Sequence, residues 1–484
     1  MSTKLLVTQP QVQVPHYVQT ARAHPRSASI CLLLSDLIGL SAVFCFAVWS
    51  KHLFNPSLDL HFYTEVYPSI FIFLVAFWSQ GLYPAMLLHP AEEMRRTFHA
   101  VTTVIVVLVA STFFFRNELD YSRYIIGLSW VLVPPVVLLG RVITRKLFSQ
   151  RSWWPTSAVV LGTGPAAQQI ARSLNKSQRG LRVTGVLLPT AIGDWDSDLP
   201  PVVGHLSDAP IIGRRQSMRY AILAMPNSSH AEIRQVIQDY CQDFRHLLIV
   251  TDLTGICCLG ITPREIGGQV GLEIPQRLSF VIPKIVKRCM DCFIGLLVFL
   301  MLVPLFLVIC AAIKLTSRGP IFFGHLRYGR DSKAFYALKF RTMVTDADKL
   351  LEDYLQQHPE QLLEWQVYHK LKNDPRITMV GRWLRRYSLD ELPQLINILV
   401  GHMSLVGPRP IVESEIKRYA NTYDLYTRVP PGLTGLWQVS GRNNTTYEER
   451  VAFDDYYVRN WSIWMDLYIL ARTFRAVLHA DGAY

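Results

Sequence analysis

Asp390 and Glu391 form an adjacent carboxylate pair within a stretch, 373–410, that also holds five arginines: Arg376, Arg382, Arg385, Arg386 and Arg409. So many cations around a lone acidic dyad point to a site for a phosphorylated anion together with a metal. Arginine suits phosphate because its planar guanidinium donates bidentate hydrogen bonds and keeps its charge. The dyad lies where a helix should begin. Pro393 has no N–H and fits a first helical turn, whose backbone donors lack intrahelical partners. Asp390 would then stand at or near the N-cap, its carboxylate and any bound phosphate facing the positive end of the helix dipole. Ser388 and Glu391 also have capping-box spacing, a purely structural use of the same residues.

Four apolar runs come first in the chain, at about 29–50, 66–88, 98–115 and 124–140. Each is near the roughly 20 residues a helix needs to cross ~30 Å of hydrocarbon. They predict a four-helix transmembrane bundle over 29–150, behind a tail at 1–28. Pro134–Pro135 should kink the fourth helix, and Asp36, costly in lipid, should face the bundle interior. Lys4, Arg22 and Arg26 precede the first run, Arg95 and Arg96 separate the second from the third, and Arg141, Arg145, Lys146 and Arg151 follow the fourth. The opposite loops carry only Lys51, Arg116 and Arg123, so the positive-inside rule puts both ends of the bundle in the cytoplasm.

A further apolar run at 289–313 is long enough to cross as well. Lys284, Lys287 and Arg288 precede it and Lys314 and Arg318 follow it, so both ends favour the same side. Pro304 sits in its middle, where it removes a helical hydrogen bond. The expectation is a helix over about 286–314, broken at Val303–Pro304, that enters and leaves through one leaflet. An ordinary kinked span is the alternative.

Residues 151–279 read as a soluble Rossmann-like α/β domain. SAVVLGTGPAAQQIARSL spells a strand, a glycine turn and a helix, with Gly162-x-Gly164-x-x-Ala167 close to the dinucleotide fingerprint. Strands are expected at 181–188, 219–225 and 246–251 and a helix at about 229–240. The strand after the first helix ends in LLPT, with no acid to hold a ribose. Gly162 and Gly164 are therefore a candidate nucleotide loop of structural or regulatory rather than catalytic use.

Half the residues are hydrophobic, more than an ordinary soluble protein carries. The net charge of +12 fits anionic lipid and phosphate partners, and no nucleic-acid motif accompanies it. Of eight cysteines, Cys31, Cys45, Cys292 and Cys310 lie in apolar runs, and the Cys289–Cys292 spacing has no second pair or histidine cluster, so free thiols are expected.

SLDELPQL followed by GHMSLVGPRP resembles the bacterial sugar transferase family, the monotopic phosphoglycosyl transferases. KRCMDCFIGLLVFLMLVPL (287–305), GPIFFGHLRYGR (319–330), KFRTM (339–343) and PGLTGLWQVSGRN (431–443) match further family blocks in order, so the resemblance covers 280–484 densely. It implies a C-terminal α/β catalytic domain held by the re-entrant helix against the bacterial inner membrane, with the soluble parts in the cytoplasm. It also implies transfer of a hexose-1-phosphate from a UDP-sugar to undecaprenyl phosphate, with release of UMP, to start a surface polysaccharide. Asp390 matches the family nucleophile, and Glu391 would join it in holding Mg²⁺ or manage protons. Arg409 matches the phosphate-binding arginine. Lys339, Arg341 and Arg376 are further candidates for diphosphate or lipid phosphate, and Arg386, in a basic run at helical spacing, for substrate or head group. Residues 434–438 and 441–443 offer donors for a sugar or uracil. UDP-galactose is the first expectation for the donor and UDP-glucose the second, and two-fold self-association is expected through the N-terminal bundle or the α/β domain.

The C-terminal stretch from Trp461 to Leu478 carries an apolar stripe that would suit the membrane interface or a core helix. Two other functions compete. An NAD-dependent epimerase would need a Tyr-x-x-x-Lys pair close after the Rossmann strands, and none stands within 151–279. A non-enzymatic scaffold would leave 280–484 a relic, yet the dyad, KFRTM and PRP are intact.

Overall fold

A computed structural model describes residues 25–56, 60–83, 86–114, 122–151, 153–176, 180–189, 195–196, 198–215, 218, 220–225, 228–250, 262–266, 269–273, 281–358, 361, 374–440 and 445–478. The chain divides into two compact units, Met1–Asp252 and Leu253–Tyr484. Among the described residues five helices are long and apolar enough to cross a membrane: Ser27–Phe54, Leu60–Ser79, Pro90–Ser111, Arg123–Phe148 and Val281–Thr316.

The first four of these belong to the first unit. The second differs from the expected 66–88, because a 3-10 turn at Tyr67–Ser69 joins Leu60–Val66 to Ile70–Ser79 and the chain turns at Gly81, with φ +67°. Buried aliphatic and aromatic side chains such as Leu40, Phe73, Phe77, Val101 and Val137 knit the four together. Pro134 and Pro135 lie inside a helix that runs unbroken from Arg123 to Phe148. Pro134 is buried there, and neighbouring Val136 packs where Gly39 leaves room on the Pro25–Phe54 helix.

Asp36 does face the interior, and its environment corrects the charge count. Arg141 is not a residue that follows the fourth span. It is fully buried within it, donating from Nε to Asp36 at 2.9 Å and from Nη1 to Glu93 at 3.0 Å. Arg145 forks onto Glu93 at 2.7 Å through each terminal nitrogen, and the Tyr83 hydroxyl donates to Asp36. An acid that leaves water must find a cation, which removes Arg141 and Arg145 from the solvent-facing tally.

The α/β part follows in the same unit. Its parallel sheet comprises β1 (Thr156–Leu161), β2 (Leu181–Leu188), β3 (Val202–His205), β4 (Tyr220–Leu223) and β5 (His246–Ile249), in the order β3-β2-β1-β4-β5. Both faces are covered, so β1 reads as a continuous apolar run. Val159 and Leu161 enter one core, and Ala158 and Val160 the other. β3 is the strand that the sequence reading lacked. Gly162 (φ +137°) and Gly164 (φ +89°) both use left-handed backbone before the Pro165–Lys176 helix. A Cβ on Gly162 would lie 2.2 Å from the Ala224 carbonyl, whereas one on Gly164 meets open space. The first glycine thus serves the tight packing of β1 on β4.

In the second unit β6 (Thr262–Ile266) and β7 (Gln269–Glu273) form a hairpin, and the apolar helix Val281–Thr316 follows. This helix continues through Pro304, so the expected break at Val303–Pro304 is not a gap in the helix. A missing N–H deprives one carbonyl a turn earlier of its donor, and the turns on either side still hold. Both halves pack on the same unit: Gly295 lies against Ile398, while Phe306 and Ile313 join Phe340 and Leu384. The opposite face stays bare, with Met301 78% and Leu307 67% exposed. The remaining strands are the antiparallel pair β8 (Phe322–Tyr328) and β9 (Ala334–Phe340) and the parallel pair β10 (Ser404–Val406) and β11 (Gly432–Thr434).

In the C-terminal helix, Ile463–Leu478, Met465 and Ile469 are buried in the core, whereas Ile463 and Leu470 of the apolar stripe are partly buried and Phe474 is exposed. Trp461, expected at an interface, is buried too and donates its indole N–H to Asp466 at 3.0 Å. Asp466 also receives Lys287 from the apolar helix, at 2.8 Å.

Candidate active site

The dyad sits on a 3-10 turn, Leu389–Glu391, just ahead of the Gln394–Val400 helix. Ser388 enters it in the left-handed region (φ 54°, ψ 24°), a conformation that costs a non-glycine residue on the order of 1–2 kcal/mol. The capping box does not form, since the Ser388 side chain makes no cap hydrogen bond. Glu391 instead accepts from Lys339 Nζ at 2.7 Å, and the same ammonium lies 3.7 Å from Asp390. Two elements hold that geometry. Lys339 is carried by β9, and Asn397, on the helix behind the dyad, accepts from Leu338 N and donates to Tyr336 O, both at 2.9 Å. Strand and helix are thereby locked in register, with Lys339 over the two carboxylates.

Asp390 is largely buried. Burial pushes its carboxyl above the usual range and Glu391 adds to this, while Lys339 and Arg385 pull the other way. The turn opens onto a cavity of about 800 Å³ that Asp390, Glu391, Lys339, Arg341, Arg376 and Arg409 all line.

The candidate cations are not equivalent. Arg376 is clasped by Asp374, with contacts of 2.6–3.1 Å. Arg341 is buried and donates to the Ser317 carbonyl and hydroxyl at 3.0 and 2.7 Å, while its Nε and Nη1 have no partner among the described residues. Arg386 does not reach the cavity. It is exposed, with its guanidinium 5.9 Å from the Tyr387 ring centroid. Arg385, one residue earlier and so about 100° round the Met379–Arg386 helix, takes that place, its Nε donating to Thr342 at 3.0 Å. Residues 441–443 lie outside the described residues, and Gln438 from the neighbouring block lines the cavity.

Sequence reasoning missed His325 and Arg327, which line the cavity with Phe323 from one face of β8. Their i, i+2, i+4 spacing in GPIFFGHLRYGR was the available signal. Burial and the charges of Arg327, Lys339 and Arg409 hold the His325 pKa below its usual value, so the ring is neutral at pH 7.

Among the described residues no three His, Cys, Asp or Glu side chains converge on a metal position. The dyad offers two carboxylates, and Lys339 already supplies a cation between them. That donor set fits an ion such as Mg²⁺, which takes one or two carboxylates and completes its shell with water and substrate phosphate oxygens. A basic cavity with one paired acid turn suits phosphoryl transfer, in which positioning and charge neutralisation do most of the work.

Comparison with known proteins agrees with that chemistry. The bacterial sugar transferase profile matches residues 282–480, and a CoA-binding domain profile matches residues 79–251. The undecaprenyl-phosphate galactose phosphotransferase of Salmonella typhimurium is 32% identical, over 95% of this chain and 98% of its own length. The chain belongs to the bacterial sugar transferase family. Other members are similar over most of the chain. The UDP-galactose-lipid carrier transferase of Erwinia amylovora is 34% identical over 81% of this chain and 82% of its own. The UDP-glucose:undecaprenyl-phosphate glucose-1-phosphate transferase of Escherichia coli is 30% identical over 77% and 79%.

Proposed function

We propose that this sugar transferase moves a hexose-1-phosphate from a UDP-sugar to undecaprenyl phosphate and so starts a surface polysaccharide. The observation that carries the reading is the Asp390–Glu391 turn, paired to Lys339 and opening on a cavity walled by Arg327, Arg385 and Arg409.

In the first step an Asp390 carboxylate oxygen attacks the phosphorus that bears the sugar. The bond from that phosphorus to the bridging oxygen breaks and UMP leaves with the electron pair, so an aspartyl phosphosugar remains. In the second step an oxygen of the lipid phosphate attacks the same phosphorus, and Asp390 leaves as carboxylate. Splitting the displacement lets one cavity serve two anionic substrates in turn. Lys339 opposes the effect of burial and favours the carboxylate form of Asp390, and Arg409 with Arg327 holds the diphosphate. Asp390 and Glu391 would hold Mg²⁺, which supplies neutralising charge for the approach of two anions. Two unit charges ~4 Å apart repel by about 4 kcal/mol at an effective dielectric near 20.

The membrane helix would enter and leave through the cytoplasmic leaflet of the inner membrane. The packing of both its halves on one unit and the basic residues at both its ends support this. Galactose-1-phosphate is our first assignment, supported by two relatives named for galactose, and glucose-1-phosphate is the second. Self-association as a dimer through the N-terminal unit is our expectation for the assembly.

The test is incubation of membranes with radiolabelled UDP-galactose or UDP-glucose, with and without undecaprenyl phosphate and Mg²⁺. Label should reach lipid from one of the two donors, depend on the acceptor, and vanish in Asp390→Asn. Lipid-linked label that survives Asp390→Asn would overturn the mechanism, and none from either donor in wild type would overturn the substrate class.

A further inference from the structure

We infer that Trp437 is the positioning residue of the Arg409 guanidinium. Arg409 has no acidic side chain within ion-pair distance among the described residues, unlike Arg376 or Lys339 in the same cavity. What it has is an aromatic face: its Cζ lies 5.8 Å from the Trp437 ring centroid. A second cation, Arg450, lies 4.8 Å from the same centroid and donates from Nε to Thr445. Trp437 is only 6% exposed, so the indole cannot swing away.

The backbone around this pair is tied unusually closely. Gly407 N donates to Thr434 O at 2.9 Å, and Gly432 N donates to Pro408 O at 2.7 Å. A Cβ on Gly432 would lie 2.1 Å from Gly407 N, and one on Gly435 would lie 2.5 Å from Gly407 O. The segment that carries Arg409 and the one that leads into Trp437 therefore touch along their main chains, where no side chain fits between. The Tyr426 hydroxyl adds a bond to Arg409 O at 3.2 Å.

The choice of an indole has a chemical reason. A carboxylate would orient Arg409 but would occupy its donors and cancel the charge a phosphate needs. An aromatic face holds the cation through its ring quadrupole and takes no N–H. Trp437 thus presents Arg409 preoriented, with its donors turned to the ligand. Arg450, over the same ring, braces the indole.

This inference rests on the reading of Arg409 as a phosphate ligand, and one experiment separates the two. The affinities of the purified full-length protein for UMP and for uridine are measured, and their ratio reports the phosphate contribution. Trp437→Leu should shrink that ratio by roughly tenfold, within the range of a buried cation–π contact, and Arg409→Gln by tenfold or more, the scale of a lost hydrogen bond to a charged group. Trp437→Phe should keep it, and uridine affinity should change in none of them. A ratio that holds in Trp437→Leu and collapses in Arg409→Gln would overturn the positioning role. A ratio that holds in Arg409→Gln would overturn the phosphate reading beneath it. Should Trp437→Leu fail to fold, Trp437→Met fills the space without an aromatic face and carries the same expectation.

Discussion

Arg385 and Arg386 are neighbours of the same chemistry, and only their position on the helix tells them apart. Arg385 lines the cavity beside Thr342 and influences Asp390, whereas Arg386 faces outward beside Tyr387. Arg385→Gln should therefore lower kcat/KM by tenfold or more, the loss of a hydrogen bond to a charged group being about 1.5–3 kcal/mol. Arg386→Gln should stay within about threefold, because exposed charges away from a site contribute little. Steady-state rates of the two variants decide the matter. The sequence made both arginines visible and could not rank them, since a one-residue error in helix phase exchanges inside for outside. The dyad, Lys339 and Arg409 were legible because motif blocks fixed them directly. His325 and Arg327 were not, because a half-buried strand with aromatic residues on both faces masks its own alternation.

The apolar elements were legible from hydropathy, and their partners were not. Asp36 signalled an interior position from its cost in lipid, but Arg141 stands 105 residues away and read as a flanking charge. That network ties three helices and the chain after the second span, through Asp36, Tyr83, Glu93 and Arg141. Removing one member strands a buried charge, so Arg141→Leu should destabilise the N-terminal unit by about 3–5 kcal/mol. Asp36→Leu combined with Arg141→Leu should lose less than the two single changes summed, because the charge and its partner then vanish together. Thermal unfolding of the four proteins in detergent closes that cycle. The helix at Val281–Thr316 shows the same limit from another side. Pro304 was read as a break and the helix runs on through it, because whether a helix stops at a proline depends on tertiary packing that local sequence does not contain.

On the scale of the whole chain, a membrane anchor, a Rossmann-like layer and a basic cavity belong to one polypeptide of the bacterial sugar transferase family. The order of these parts was readable because each has its own period: long apolar runs, alternating strands and helices, then dense motif blocks. With Asp390 as the nucleophile, the sugar phosphate rests on the protein before it reaches lipid. Intact-protein mass spectrometry of the full-length chain, given the UDP-sugar but no lipid phosphate, tests this directly. The expected result is a protein heavier by one hexose phosphate, with matching release of UMP, and neither in Asp390→Asn. UMP released only when lipid phosphate is also present, with no adduct at any time, would contradict it.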